Sequence, residues 1–280
     1  MQIKAILLRI TINSLARSLP FISARISYQL WTRTYRHKMP EKELEVFNSA
    51  LKQKIDVNGA DIMTYVWEVG DDPPTVLLLH GWNGRGTQLS FFVKELLSAG
   101  YGVVSFDAKG HGLSDDNHTN VQESVAIIKK LTEIHGVFFA MIGHSFGAMA
   151  AVNAINQGVA CQKFIGISPP TEFTALLQAF SDYMELTSQA SNVLKKYVLN
   201  IYGIASFEDI SITGIAPEMT IPCLIIHDKN DDKVPLSQAQ KAVKRWPGAK
   251  LHITEGLGHI RILHKPPALE ASLNFLNSGS

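Results

Sequence analysis

The chain has 280 residues, of which 46% are hydrophobic and 18% charged, enough apolar material for a large buried core rather than a disordered or fibrous chain. Its net charge of +1 gives no overall pull toward nucleic acid or an acidic surface. Its two cysteines, Cys161 and Cys223, lie far apart in no metal-type spacing, so a disulfide scaffold is not expected and a cytoplasmic location is.

The first 31 residues, MQIKAILLRITINSLARSLPFISARISYQLW, are apolar but interrupted by Lys4, Arg9, Arg17 and Arg25. No run approaches the roughly 18 uninterrupted apolar residues of a membrane span. "AILL" is too short for a signal-peptide core. Two readings stay open: a helix packed on the rest of the protein, or a basic amphipathic helix on a membrane or partner surface.

A second helix is expected from Pro40 through PEKELEVFNSALKQK, making residues 1–50 a helical extension. Asn58-Gly59, between two runs suited to strands, signals a hairpin. Strands TVLLLH, GVVSFD, VFFAMI and KFIGIS then alternate with helices closed by Gly100, Gly136 and Gly158. Short continuous apolar strands between helices imply an α/β fold with a mostly parallel sheet covered on both faces. Residues 169–218 break the alternation with helices alone and are expected to form a small cap after the sixth strand. The strands CLIIHD and AKLHIT, the helix SQAQKAVKRW between them and a last helix PALEASLNFLN complete a core of residues 51–168 and 219–280. Ligands bind such sheets at the carboxyl ends of their strands.

Gly143-His144-Ser145-Phe146-Gly147 fits G-x-S-x-G between a strand and a helix. The sharp turn needs glycines where side chains would strike neighbouring backbone, and it lifts the serine hydroxyl clear of the sheet. Alone, the motif also suits a tight turn with a serine N-cap. A serine nucleophile needs a base. Of ten histidines, His259 is best placed, in a glycine-rich loop after the last strand. The base needs a carboxylate to fix its tautomer, and IIHDKNDDKVP offers Asp228, Asp231 and Asp232. Asp231 stands three residues before Val-Pro, with Asp232 the near alternative, Asp228 suited to shaping the turn and Glu172 a more distant substitute. Backbone N–H groups of Phe146 and Trp82 are expected to receive an oxyanion. No zinc spacing and no nucleotide-binding loop are present, so no metal or cofactor is implied.

Taken together, LLLHGW, FDAKGHGLSD, GHSFG, HDKNDDKVP and GLGHIRIL, in this order across roughly residues 54–278, resemble the α/β-hydrolase superfamily. HGWNGRG and EGLGHIRIL resemble a bacterial branch described only as α/β-fold hydrolases. The resemblance implies an eight-stranded sheet with a helical cap and the nucleophile, acid and base order Ser145, Asp231, His259. The N-terminal fifty residues lie outside the family's common core. The expected activity is a carboxylesterase-type serine hydrolase acting on a small to medium ester or thioester, with Trp82, His144, Phe173, Leu177 and Phe180 as candidate substrate contacts. A ligand-binding protein on the same fold and an acyltransferase using the same triad are the alternatives. The expected partner is a small molecule rather than nucleic acid; the sequence leaves oligomeric state open.

Overall fold

A computed structural model describes residues 2–278. Helices α1 (Gln2–Ser18) and α2 (Pro20–Trp31) come first, and α3 (Glu41–Ser49) leads into strands β1 (Leu51–Val57) and β2 (Ala60–Trp67). Then β3 (Thr75–Leu79), α4 (Ser90–Ser98), β4 (Gly102–Phe106), α5 (Val121–His135), β5 (Phe138–His144), α6 (Phe146–Asn156) and β6 (Cys161–Ile167) alternate. Helices α7 (Phe173–Tyr183) and α8 (Ser188–Tyr202) and the single turn α9 (Ile212–Ile215) interrupt the pattern. It resumes with β7 (Cys223–Asp228), α10 (Leu236–Arg245), β8 (Lys250–Thr254), α11 (Gly258–Arg261) and α12 (Pro266–Asn277).

The eight strands form one sheet in the order β1-β2-β4-β3-β5-β6-β7-β8. Strand β2 is antiparallel to both of its neighbours, and every other adjacent pair is parallel. Asn58 and Gly59 both take positive φ (54° and 78°), the geometry a two-residue hairpin turn requires. One expected boundary shifts. Leu51–Lys54, assigned to the helix from Pro40, belong to β1, where they pair with Met63–Val66. The ladder to β2 outweighs the good helix propensity of LKQK, because strand pairing depends on the partner rather than on the segment alone.

The chain divides into two compact units, where the sequence suggests an extension, a core and a cap. One unit joins the segment up to Arg33 with Glu172–Ser211; the other holds Thr34–Thr171 and the chain from Ile212 onward. In the sheet unit, alternate strand residues face opposite sides. Val76, Leu78, Val103, Ala140, Ile142, Ile165, Ile167, Leu224 and Ile226 form one continuous core with residues of α4 and α12. On the opposite side α6 packs against β3, β5 and β6, and α10 against β7 and β8.

In the other unit, α1 and α2 pack on each other and both pack on α8. Ile12, Ala16, Met184 and Ala190 form its buried centre, with Leu8, Ile26, Leu30, Phe180, Leu186 and Val193 against them. Small side chains let α2 approach closely: Ser23, Ala24 and Ser27 are buried, and Ser23 Oγ donates to the Ile12 carbonyl at 2.8 Å. Asn13 fixes the turn before α8, its amide donating to the Glu185 carbonyl (3.0 Å) and its Oδ1 accepting the Thr187 N–H (2.8 Å).

Candidate active site

Strand β5 delivers Ser145 to the carboxyl edge of the sheet, and the residue turns there with φ 50° and ψ −118°. Positive φ is costly for a non-glycine residue and persists only where its surroundings impose it. The imposing contacts are visible at the two motif glycines. A Cβ on Gly143 would lie 2.5 Å from Ala148 Cα, and one on Gly147 would lie 2.5 Å from the Leu79 carbonyl oxygen. The turn therefore brings the start of α6 flat against the ends of β5 and β3. Ser145 Oγ makes no capping bond to α6, so its hydroxyl is free for another partner.

That partner is His259. Its Nε2 lies 3.1 Å from Ser145 Oγ, and its Nδ1 lies 2.8 Å from Asp231 Oδ2. An ionised carboxylate can only accept, so Nδ1 carries the hydrogen and Nε2 presents a lone pair to the serine hydroxyl. Burial disfavours charge on Asp231. The His259 hydrogen bond and the N–H groups of Val234 and Lys233, both 2.9 Å from Oδ1, outweigh it and hold the carboxyl at about 2.

The three aspartates of this loop have separate tasks. Asp228, fully buried, accepts from Asn230 N–H, Thr254 Oγ1–H and Leu257 N–H, and so ties the end of β7 to the loop that carries His259. Asp232 is exposed and pairs with Lys233. Only Asp231 reaches His259. Glu172 stands at the N-terminus of α7, in the other unit.

His144 has a different place from the one expected. It is 1% exposed and sits behind His259, its Nε2–H donating to the His259 carbonyl at 2.9 Å with the rings 4.8 Å apart. Burial pushes it down to about 3, so it stays neutral. It braces His259 rather than facing a ligand. Phe173 and Leu177 are buried, Phe173 against Trp31, Tyr202 and Phe207, and Phe180 packs beside the Ile12 centre. Their side chains serve packing there.

The loop after β3 runs beside the elbow. A Cβ on Gly81 would lie 2.6 Å from His144 Nδ1 and 3.3 Å from Ser145 Cβ. Trp82 follows, its indole edge-on to Phe146 (centroids 5.1 Å apart) and to His111 (5.7 Å). Phe146 is the first residue of α6, where an amide has no intrahelical acceptor. Among the described residues no hydrogen bond occupies either the Trp82 or the Phe146 N–H. The loop is fixed by groups not among the candidate site residues read from the sequence. Gln88 Oε1 accepts the Gly81 N–H (2.8 Å), and His111 Nε2 accepts the Asn83 N–H (3.0 Å). His80 Nε2 accepts the Ala108 N–H (2.9 Å), while its Nδ1–H donates to the Gly81 carbonyl (2.7 Å). Burial lowers His80 to about 4 and His111 to about 3, which preserves the neutral rings these acceptor roles need. The signal for these braces is the histidine in each of HGW and GHG. Among the described residues no group of acidic, histidine or cysteine side chains is arranged to hold a metal ion.

The sequence profile of the Alpha/beta hydrolase family matches residues 76–271, most of the chain and all of the site just described. The chain belongs to the alpha/beta hydrolase family. This hydrolase is 24% identical to YqkD of Bacillus subtilis over 72% of its own length and 70% of that protein's. It is 21% identical to the pimeloyl-[acyl-carrier protein] methyl ester esterase of Vibrio vulnificus, covering 71% of this chain and 92% of that one. Among solved structures, the Pyrococcus furiosus esterase superposes with a TM-score of 0.65 at 19% identity, over 88% of this alpha/beta hydrolase and 97% of the esterase.

Proposed function

We propose that the protein hydrolyses a small to medium carboxylic ester or thioester through an acyl-enzyme on Ser145. The observation that carries this reading is the hydrogen-bonded line Ser145 Oγ–His259–Asp231 at a positive-φ turn. The esterase named among its relatives supports the reaction class.

In this mechanism Ser145 Oγ attacks the acyl carbon while its proton passes to His259 Nε2. Asp231, held ionised by His259 and two amides, stabilises the resulting imidazolium through Nδ1–H. The N–H groups of Trp82 and Phe146 receive the tetrahedral oxyanion. Collapse expels the alcohol or thiol, which takes the proton from Nε2. A water then gives its proton to the same nitrogen, attacks the acyl carbon and releases the acid, and Ser145 regains its hydrogen. In this reading Trp82, whose ring flanks Phe146, contacts the substrate.

The test is Ser145→Ala. The variant is expected to fold as the parent does and to lose turnover of p-nitrophenyl esters by about 10⁶-fold, as removal of a serine nucleophile does. It should also resist labelling by a fluorophosphonate probe that modifies the parent. Ester turnover at the parental rate in the alanine variant would overturn the assignment.

A further inference from the structure

Helices α1 and α2 are packed on one side, and on the other the first half of α1 and the start of α2 carry exposed apolar side chains. Leu8, Ile12 and Ala16 of α1 turn inward. A helical period of 100° per residue places Ile6, Leu7 and Ile10 on the opposite face, and these are 51%, 58% and 58% exposed. The corner into α2 repeats this: Leu19, Phe21 and Ile22 are exposed while Ser23 and Ala24 are buried. Six large apolar side chains thus stand in solvent within seventeen residues. A surface helix ordinarily turns polar groups outward, and single exposed apolar residues need no explanation where a cluster does.

The charges around the cluster name its occupant. Residues 1–33 contain five basic residues and no acidic one. Arg17 follows Ile6 and Ile10 on the outward face of α1, and Arg25 stands one turn beyond Phe21 and Ile22 on α2; both are exposed. On α8, Lys196 is exposed beside Tyr197, against whose ring Phe21 packs at 5.5 Å. A second copy of the chain fits poorly. A two-fold contact would set this segment against itself, bringing arginines together with no carboxylate in either segment to pair them. A surface of anionic lipid supplies both an apolar layer for the six side chains and countercharge for the arginines. Among the described residues no helix is long and apolar enough to cross a membrane, so the contact lies in the plane of the surface.

We infer that the outward face of α1 and α2 docks the protein on an anionic bilayer, with Phe21 and its neighbours entering the interface and Arg17 and Arg25 meeting the headgroups. The full chain is mixed with vesicles of phosphatidylcholine alone or of phosphatidylcholine with phosphatidylserine, and sedimented. Binding is expected with phosphatidylserine, weakening as salt is raised, and little without it. Phe21→Asp and Ile10→Asp, each checked for native circular dichroism, should weaken partition about tenfold or more by removing one inserted apolar side chain. Arg17→Gln with Arg25→Gln should weaken it and flatten the salt dependence. Three results would overturn the proposal: no binding by the folded chain, equal binding by all variants, or a solution dimer abolished by Phe21→Asp without vesicle binding. Ester turnover is not the readout, so the outcome is independent of the catalytic reading.

Discussion

Each of the two units of this chain is stabilised internally by different means. In the sheet unit, polar groups at the strand ends are fixed one by one: Asp228 binds three donors, Asp231 three, and His80, His111 and His144 each hold a named backbone group. The helical unit rests on apolar contacts and small residues, tied by Asn13, the cap at Thr187, the Arg9–Glu185 pair, the Ser23 bond to Ile12 and the buried Ser181–Ser191 pair, and it leaves apolar side chains in solvent. All ten histidines lie in the sheet unit and none in residues 1–33 or 172–211. A region that holds polar side chains in set positions needs directional bonds. A region that presents a surface does not. The contrast can be tested in four places.

The largest effect is expected within the acidic loop. Asp231→Asn should lower kcat/KM by about 10⁴-fold, because an amide in place of the carboxylate no longer enforces the Nδ1–H tautomer of His259. Asp232→Asn, one residue away and exposed, should change it by no more than about twofold. Steady-state ester kinetics on both proteins checks this. Equal losses would mean that the loop, rather than one oxygen, matters.

The second test uses pH. His80, His111 and His144 have folded values near 4, 3 and 3 against an ordinary 6.5, all through burial. Between about 6.5 and those values the unfolded chain binds more protons at these sites, so their contribution to stability is full above this window and falls as pH drops through it. Each histidine contributes up to about 1.4 kcal/mol per pH unit, roughly 4 for the three together. Asp231 adds its own loss only lower, between its ordinary 3.8 and about 2. Hydrogen exchange at pH 7 and pH 5 should show α6 and the sheet losing protection, while α8 shows no titration of its own. An acid loss that began in α8 would break the comparison.

Legibility in the sequence follows the same division. The sheet, its hairpin and the elbow are written in local signals: apolar runs of strand length, Asn58-Gly59, and helices stopped by glycine. Ser145 and His259 can be picked out because a serine nucleophile and its base would need those residue types at strand ends, whereas the sequence leaves Asp232 beside Asp231 and only the bond to His259 separates them. The boundary at Leu51 is not legible, because it depends on β2 as partner. Sequence order puts His144 beside Ser145, which suggests a ligand contact, whereas alternation along β5 turns it behind His259. The grouping of α1 and α2 with α7 and α8 is hidden too. It joins segments some 150 residues apart through apolar and aromatic contacts, such as Ile12 with Met184 and Trp31 with Phe173, and an apolar residue does not name its partner in the sequence.

A third test compares glycines. In Gly147→Ala the new Cβ would sit 2.5 and 2.6 Å from two backbone oxygens of the β3 end, which cannot yield without moving the sheet. A loss of about 3 kcal/mol is expected. Gly203, the left-handed cap of α8, has open space around it, so Gly203→Ala should cost only about 1 kcal/mol for its positive φ. Urea unfolding of both variants gives the ratio. Similar losses would show that close approach at the elbow is not the dominant constraint.

The smallest effect is expected at the start of α8. Thr187 Oγ1 accepts the Ala190 N–H at 3.2 Å, and its own N–H is held by Asn13. Thr187→Ala removes the first of these and keeps the second, a cost of about 1 kcal/mol. The cap satisfies an amide of the first turn of α8 alone, so the loss should be local. Amides of residues 188–191 should exchange faster, by about fivefold for that energy, while ester turnover and the exchange of α6 stay as in the parent. Global unfolding of the sheet unit at an equally lowered denaturant midpoint would instead mean that the two units unfold as one. The difference in how they are stabilised would then have no counterpart in their stability.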